Sequence, residues 1–119
     1  MKYMLNKQNN TYFRIYFVGI GGISMSALAK HCLSLGYSVG GSDVRESAQT
    51  EELRRLGAKI SIGHAAGQSG DVDVYIVTSA VGEDNEEIKY ARAHGIPVCT
   101  RTEAWAEAMR SFAHTIGVA

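Results

Sequence analysis

A twelve-residue stretch, IYFVGIGGISMS from Ile15 to Ser26, most constrains what this chain can fold into. An apolar run that favours a β-strand leads directly into a turn with three glycines, and the start of an amphipathic helix follows. Glycines at such a turn let the main chain bend sharply and come close to a ligand. The N–H groups and the positive dipole end of the helix then face an anion. The stretch therefore predicts an α/β fold with a phosphate-binding turn after its first strand.

The glycine turn follows the G-x-G-x-x-G spacing of nucleotide-binding folds with one departure. Gly19 and Gly21 take the first two positions, and Gly22 is an additional glycine. Ser24 stands where the third glycine is usual. Asp43 follows after about 20 residues, at the predicted end of the second strand, where the fingerprint has an acidic residue. Because an ionised carboxylate only accepts hydrogen bonds, Asp43 suits a sugar hydroxyl or an imide N–H. The pattern predicts a nucleotide diphosphate, either a dinucleotide or a nucleotide-sugar.

Strands and helices alternate along the chain. The predicted strands are 12–18, 37–43, 59–62, 72–78 and 96–99, with a further strand at 114–119. Such alternation implies a parallel sheet with right-handed crossovers. We therefore predict a Rossmann-like, doubly wound, mostly parallel sheet of five to six strands, with helices on both faces.

Local signals also predict buried helix faces and helix starts. Apolar residues at helical spacing predict that the first helix buries Met25, Leu28, Ala29, Cys32 and Leu35. Ser26 falls on the opposite, polar side of that helix. Asp84 has capping-box spacing to Glu87, and Thr102 is the predicted cap of the last helix. Pro97 predicts that the fifth strand starts there or lies at an edge of the sheet.

Composition excludes several classes of protein. A chain of 119 residues is expected to form one domain with a core of its own. A formal net charge of zero argues against nucleic-acid binding. The sequence shows no secretory signal and no apolar run that would span a bilayer. Cys32 and Cys99 lie far apart and are predicted to be free thiols. We predict a cytoplasmic protein with no nucleic-acid or membrane partner and no metal site.

Ligands of such sheets bind beyond the carboxyl ends of the strands, near the point where the strand order reverses. Those ends predict a site formed by residues 19–25, Ser42, Asp43, His64, Thr78 and Ser79. Each candidate has a structural alternative. Asp43 is also typical of a solvated turn or a helix cap, His64 of a surface imidazole, and Ser79 of a turn bonded to its own backbone. For the glycine turn, the alternative to ligand binding is a role in the fold alone.

Machinery for covalent chemistry is missing from the sequence. It contains no G-x-S-x-G elbow, no G-x-x-x-x-G-K-[ST] phosphate loop and no carboxylate cluster for a metal. A domain that binds a nucleotide without reacting with it is either a module of a larger protein or the cofactor-binding domain of an enzyme.

Several runs of sequence together resemble the amino-terminal domain of the Mur ligases, the amide-forming ligases of the peptidoglycan pathway. These runs are FVGIGGISMSALA, GYSVGGSD, LGAKISIGH, VTSAVGEDNEEI, ARAHGIPV and RTEAWAEAMR. They cover about residues 13–119 and include every strand end rather than one motif. The similarity is to the members that join L-alanine to UDP-N-acetylmuramate, in which this domain is Rossmann-like and holds the UDP part of the substrate.

The resemblance implies roles for individual residues. The implied diphosphate loop consists of Gly19, Gly21, Gly22, Ile23, Ser24 and Met25. Ser42, Asp43 and His64 would lie around the uridine, and Thr78 with Ser79 would border the path to the muramoyl group. Because Ser24 replaces the glycine usual in this loop, its side chain either crowds the approach of helix and strand or adds a donor for phosphate. ATP and Mg²⁺ are implied for the full-length enzyme and no cofactor for this part of it.

The resemblance also implies a division of the chain. Residues 1–12 would form a flexible arm and residues 13–112 the UDP-N-acetylmuramate-binding domain. Residues 113–119 would be the first strand of a central ATP-binding domain, whose phosphate loop is expected directly after Ala119. The chain is therefore expected to be a fragment without ligase activity of its own, completed by central and C-terminal domains.

Other functions remain open beside this one. A strand-two carboxylate such as Asp43 would meet a ribose 2′-hydroxyl in the NAD-binding domain of a dehydrogenase. Gly22, Ser24 and the predicted strand-end residues His64 and Ser79 argue against that alternative. A related ligase, which attaches a ready-made peptide to UDP-N-acetylmuramate, differs in substrate rather than fold. A regulatory nucleotide sensor is a third alternative, and no residue favours it specifically.

Overall fold

The computed structural model describes residues 14–63, 65, 67–70, 72–78 and 81–104. Within these ranges the chain forms a five-stranded, all-parallel sheet with the strand order β3-β2-β1-β4-β5. The elements are β1 (Arg14–Val18), α1 (Ile23–Ser34), β2 (Ser38–Asp43), α2 (Ala48–Arg55), β3 (Lys59–Ile62), β4 (Val74–Val77), α3 (Glu86–Ala93) and β5 (Val98–Thr100). The predicted Rossmann-like α/β fold is confirmed. The predicted arm 1–12 and the predicted strand 113–119 lie outside the described residues.

The strand order brings the carboxyl ends of the strands together at one edge of the sheet. The chain runs outward from β1 through β2 to β3 and then returns to β4 on the other side of β1. Val18 pairs with Ser42, and Asp43 pairs with Ile62, so the first three strands end side by side. The order reverses between β1 and β4, which is where sheets of this kind bind their ligands.

Side chains alternate between two cores because successive strand residues point to opposite faces of the sheet. Phe17 and its neighbours on one face pack under α1 and α2, which contribute Leu28 and Leu53. On the other face, Tyr16 and Tyr75 pack under α3, which contributes Ile88 and Ala91. The sheet therefore carries helices on both faces, as predicted.

Two expectations about which residues of helix α1 are buried are wrong. Leu35, predicted to be buried, is exposed because it is the C-cap, where the helix ends and the helical periodicity no longer applies. Ser26, predicted on the polar side, is buried. Its hydroxyl donates to the Ile23 carbonyl oxygen at 2.9 Å, so the local hydrogen bond satisfies the polar group inside the core.

Two predicted helix caps are also wrong by one or two residues. Asn85, rather than Asp84, caps α3, and its side chain accepts from the Glu87 N–H at 2.8 Å. Residues 101–104 are helical, so Thr102 lies inside the turn rather than before it. Thr100 takes the capping role, since its Oγ1 accepts from the Glu103 N–H at 3.2 Å while Glu103 accepts from the Thr100 N–H at 2.9 Å. Both corrections follow from the strand or loop extending further than the sequence pattern indicates.

Both cysteines are buried and free, as predicted. Burial raises the pKa of the Cys32 thiol to about 12 and is the main cause that raises the pKa of Cys99 to about 11. Both therefore remain protonated near neutral pH and behave as small apolar core residues. In the part of the chain that the structure describes, no helix has the length and apolar character needed to cross a bilayer.

Candidate functional site

The glycine turn after β1 is hydrogen-bonded to the end of β2. The N–H groups of Gly19 and Ile20 donate to the Ser42 carbonyl oxygen at 2.8 and 2.9 Å. Gly19 has φ +86°, a left-handed conformation that side-chain-bearing residues rarely adopt. The turn therefore depends on a glycine at its first position for its backbone geometry.

Asp43 holds the second glycine of the turn. Its Oδ2 accepts from the Gly21 N–H at 2.7 Å, and its Oδ1 accepts from the Val44 N–H at 2.7 Å. A Cβ at Gly21 would lie 2.5 Å from this Oδ2 and 3.2 Å from the Ser47 hydroxyl at the start of α2. A side chain at Gly21 would therefore displace the carboxylate that binds this turn, a consequence that the sequence pattern does not reveal. A contact between Asp43 and a ligand stays a prediction.

The first turn of α1 has the properties of an anion-binding site. Gly22 is the N-cap and offers no side-chain cap, and the first turn contains no acidic residue. The first helical hydrogen bond runs from the Ser26 N–H to the Gly22 carbonyl at 2.8 Å, so the preceding N–H groups have no acceptor within the helix. These donors and the helix dipole favour an anion at this position.

Arg101 brings a positive charge to the same turn and was not singled out from the sequence. It follows β5, and its Nη1 donates to the Ser24 hydroxyl at 2.8 Å across the end of the sheet. Among the ion pairs of the described residues, none involves Arg101. A guanidinium at a helix N-terminus suits a doubly charged ligand. The strand-end rule would have found Arg101 had it been applied to the fifth strand as well as to the first four.

Ser24 therefore has a function in the structure. Its hydroxyl anchors the Arg101 guanidinium, which a glycine at this position would not do. The side chain of Met25, the next residue, is buried under the sheet, so only the main chain of Met25 faces the turn.

The remaining predicted residues divide into two groups. Ser42 lies beside the turn, and its hydroxyl donates to Glu87 at 2.6 Å beneath the sheet edge. Thr78 follows β4, is half-buried, and accepts from the Val81 N–H at 3.1 Å through its carbonyl oxygen. His64 and Ser79 lie outside the described residues. Within the described ranges, no three histidine, cysteine or carboxylate side chains come together as metal ligands.

Comparison with known proteins shows what this arrangement is similar to. The family described as "Mur ligase family, catalytic domain" matches residues 14–113. The UDP-N-acetylmuramate–L-alanine ligase of Lawsonia intracellularis is 54% identical over 102 residues, which are 86% of this chain and 22% of that protein. The chain spans about a fifth of the length of the curated relatives that it matches.

Two solved structures that differ in sequence identity to this chain share its fold. The UDP-N-acetylmuramate–alanine ligase MurC of Thermotoga maritima has a TM-score of 0.79 at 42% identity, over 82% of this chain and 23% of that one. A murein peptide ligase of Psychrobacter arcticus has a TM-score of 0.73 at 26% identity, over 80% of this chain and 20% of that one. The family match includes every strand and helix given above, together with the glycine turn and Arg101. This chain belongs to the Mur ligase family.

Proposed function

We propose that this chain is the part of a UDP-N-acetylmuramate–L-alanine ligase that binds the UDP group, in the cytoplasmic stage of peptidoglycan synthesis. Amide formation would depend on ATP, Mg²⁺ and the central and C-terminal domains of a longer protein, so we expect this segment alone to be inactive as a ligase. The greater identity to the alanine-adding enzyme, 42% against 26% for the peptide ligase, favours L-alanine over a ready-made peptide as the second substrate.

One observation supports the proposal above all others: the first turn of α1, whose N-cap is a glycine without a side chain, and the Arg101 guanidinium meet near the switch point of the sheet. The N–H groups of the first turn would bind one phosphate of the diphosphate. The guanidinium would bind the other, with its fork of donors matched to phosphate oxygens. Gly19, Gly21 and Gly22 allow the close approach, and Ile23, Ser24 and Met25 contribute main-chain groups.

The remaining contacts follow from the order of the strand ends. We place the uridine near Ser42, Asp43 and His64, on the β2–β3 side of the turn. Thr78 and Ser79, on the β4 side, would border the route to the muramoyl carboxylate. Asp43 already accepts two main-chain hydrogen bonds, and a carboxylate retains lone pairs for a further donor. It would therefore position the turn and contact the nucleotide at the same time.

Calorimetric titration tests the function directly. The chain is titrated separately with UDP-N-acetylmuramate, UDP and NAD at one ionic strength. We expect both uridine ligands to bind more tightly than NAD, because the site is built for one nucleotide diphosphate extended by a sugar. Tighter binding of NAD than of either uridine ligand would overturn the proposal in favour of a dehydrogenase domain.

Arg101→Ala should weaken UDP binding about 10- to 100-fold, which corresponds to about 1.4–2.8 kcal/mol for a lost charge-assisted contact. Affinity for uridine, which has no phosphate, should change little. Arg92→Ala is the matched control, because Arg92 is exposed and pairs with Glu83 at 2.9 Å on the far end of α3. The proposed phosphate contact of Arg101 would be wrong if Arg101→Ala lost as much affinity for uridine as for UDP. It would also be wrong if Arg92→Ala lost as much affinity for UDP as Arg101→Ala.

A further inference from the structure

A fully buried carboxylate lies under the edge of the sheet that carries the candidate site. Glu87, in the first turn of α3, has an exposed fraction of 0%. Its surroundings include the apolar cluster of Tyr16, Tyr75 and Ile88. A carboxylate in such a place is costly unless hydrogen bonds compensate for the loss of water. The sequence pattern predicts Glu87 only as the capping-box partner of Asp84, but the N-cap of α3 is Asn85.

Among the residues that the structure describes, three different segments donate hydrogen bonds to Glu87. Its Oε1 accepts from the Ser42 hydroxyl at 2.6 Å, and its Oε2 accepts from Gln68 Nε2 at 3.0 Å. Oε2 also accepts from the Tyr16 hydroxyl in the centre of β1. Burial is the main cause that raises the pKa of Tyr16, and the hydrogen bond to Glu87 raises it further, so this hydroxyl remains a donor at neutral pH.

Two of these segments continue directly into the candidate site. The Ser42 carbonyl oxygen accepts the N–H groups of Gly19 and Ile20 in the glycine turn. The other amide hydrogen of Gln68 donates to the Gly63 carbonyl at 2.7 Å, and Gly63 donates its N–H to the Asp43 carbonyl at 2.8 Å. One carboxylate thus connects the ends of β2 and β3 and, through Ser42, the turn after β1.

Stability alone does not require this arrangement. Replacing a buried polar network by apolar side chains of similar volume is often neutral or stabilising, whereas a network of directed hydrogen bonds holds its partners in one geometry. We propose that Glu87 is a positioning residue, which sets the relative placement of the glycine turn and the β2 and β3 ends for the nucleotide diphosphate. The proposal rests on the function proposed above and gives Glu87 no direct contact with the ligand.

Hydrogen exchange in the ligand-free protein tests the positioning directly. In Glu87→Met, the amides of Gly19 and Ile20 should exchange at least 10-fold faster, while the amide of Leu28 in the core of α1 keeps its wild-type rate. A merely structural role would accelerate all three amides together through global unfolding. Glu86→Met is the matched control, since Glu86 is the exposed neighbour of Glu87 in the same helix turn. Equal acceleration at all three amides, or none at Gly19 and Ile20, would overturn the proposal.

Binding measurements extend the test to the ligand. Glu87→Met should bind UDP about 10-fold more weakly, a loss of about 1.4 kcal/mol in binding free energy. Glu87→Gln should recover part of this affinity because its amide oxygen still accepts one hydrogen bond.

If Glu87→Met does not fold, Ser42→Ala removes the hydrogen bond between β2 and Glu87 and should accelerate exchange at Gly19 and Ile20. Wild-type affinity in Glu87→Met would overturn the positioning role. If the wild-type chain binds no uridine nucleotide, the proposed function is wrong. The hydrogen-exchange rates of Gly19 and Ile20 in the ligand-free variants would then still test whether Glu87 positions the glycine turn.

Discussion

Replacing Gly41 by alanine should lower the free energy of unfolding by about 3 kcal/mol, because the added methyl group has no room in the sheet. A Cβ at Gly41 would lie 2.6 Å from the Phe17 carbonyl oxygen and 2.8 Å from Cβ and Cδ1 of Ile20. Neither neighbour can move easily, since Phe17 belongs to the central strand and Ile20 is fully buried. Urea unfolding followed by far-ultraviolet circular dichroism measures the loss.

Gly40→Ala provides the matched control within the same strand. A Cβ at Gly40 points to the other face of the sheet and meets the Lys59 carbonyl oxygen at 3.2 Å and Tyr16 Cδ1 at 3.7 Å. Both variants replace glycine by alanine in the same strand, so the gain in strand propensity is the same. The difference between their free energies of unfolding therefore measures the steric clash at Gly41. We expect Gly40→Ala to cost less than about 1 kcal/mol. Equal losses at the two positions would contradict the packing described around Ile20.

Gly22→Asp should stabilise the free protein and weaken its binding of UDP. Gly22 has φ −65° and ψ 154°, which any residue adopts, and among the described residues a Cβ there meets only the Gly19 carbonyl oxygen at 3.7 Å. An aspartate at this N-cap would accept from the first-turn N–H groups and add about 0.5 kcal/mol of stability. It would also occupy the donors that the diphosphate needs and repel its charge, so affinity should fall about 100-fold, or about 2.8 kcal/mol. Thermal unfolding and calorimetric titration of one preparation measure both effects.

Gly22→Asn separates occupancy of the donors from charge repulsion. Asparagine caps a helix about as well as aspartate but carries no charge. We expect a similar gain in stability and a smaller loss of affinity, with little dependence on salt. A Gly22→Asp variant that is more stable and still binds UDP at the wild-type affinity would show that the ligand does not use the first turn of α1.

Local sequence patterns predicted most of the fold correctly. Apolar strands alternating with amphipathic helices closed by glycines indicated a parallel doubly wound sheet, because a strand covered on both faces is apolar throughout, whereas a helix is apolar on one side only. The errors lie at element ends, where short-range signals compete. Asp84 and Asn85 are adjacent residues that both favour an N-cap, and only the path of the loop decides between them. Leu35 has the periodicity of a buried residue but is the C-cap of α1 and is exposed.

The sequence anticipated those parts of the candidate site that lie on consecutive residues or at strand ends, and their contact with a ligand stays a prediction. The glycine turn, Ser42 and Asp43 meet at one edge because parallel strands end side by side. Arg101 and Glu87 are different, since each reaches the site across other elements, 77 and 45 residues from its partners Ser24 and Ser42. Arg101 follows β5, so the strand-end rule could have indicated it, whereas nothing in the spacing of Glu87 distinguishes it from a solvated charge. The roles of His64 and Ser79 stay predictions.

The sequence alone determined the order of the elements, the parallel sheet and a glycine turn suited to phosphate, because these depend on residues close together in the chain. Only the tertiary structure decided what a side chain at Gly21 or Gly41 would displace, where Asp43 places its carboxylate, and which arginine reaches the turn. These features depend on distances between atoms that are remote in sequence. Steric exclusion and hydrogen bonding act over a few ångströms, so they become defined only after the strands have paired and the helices have packed.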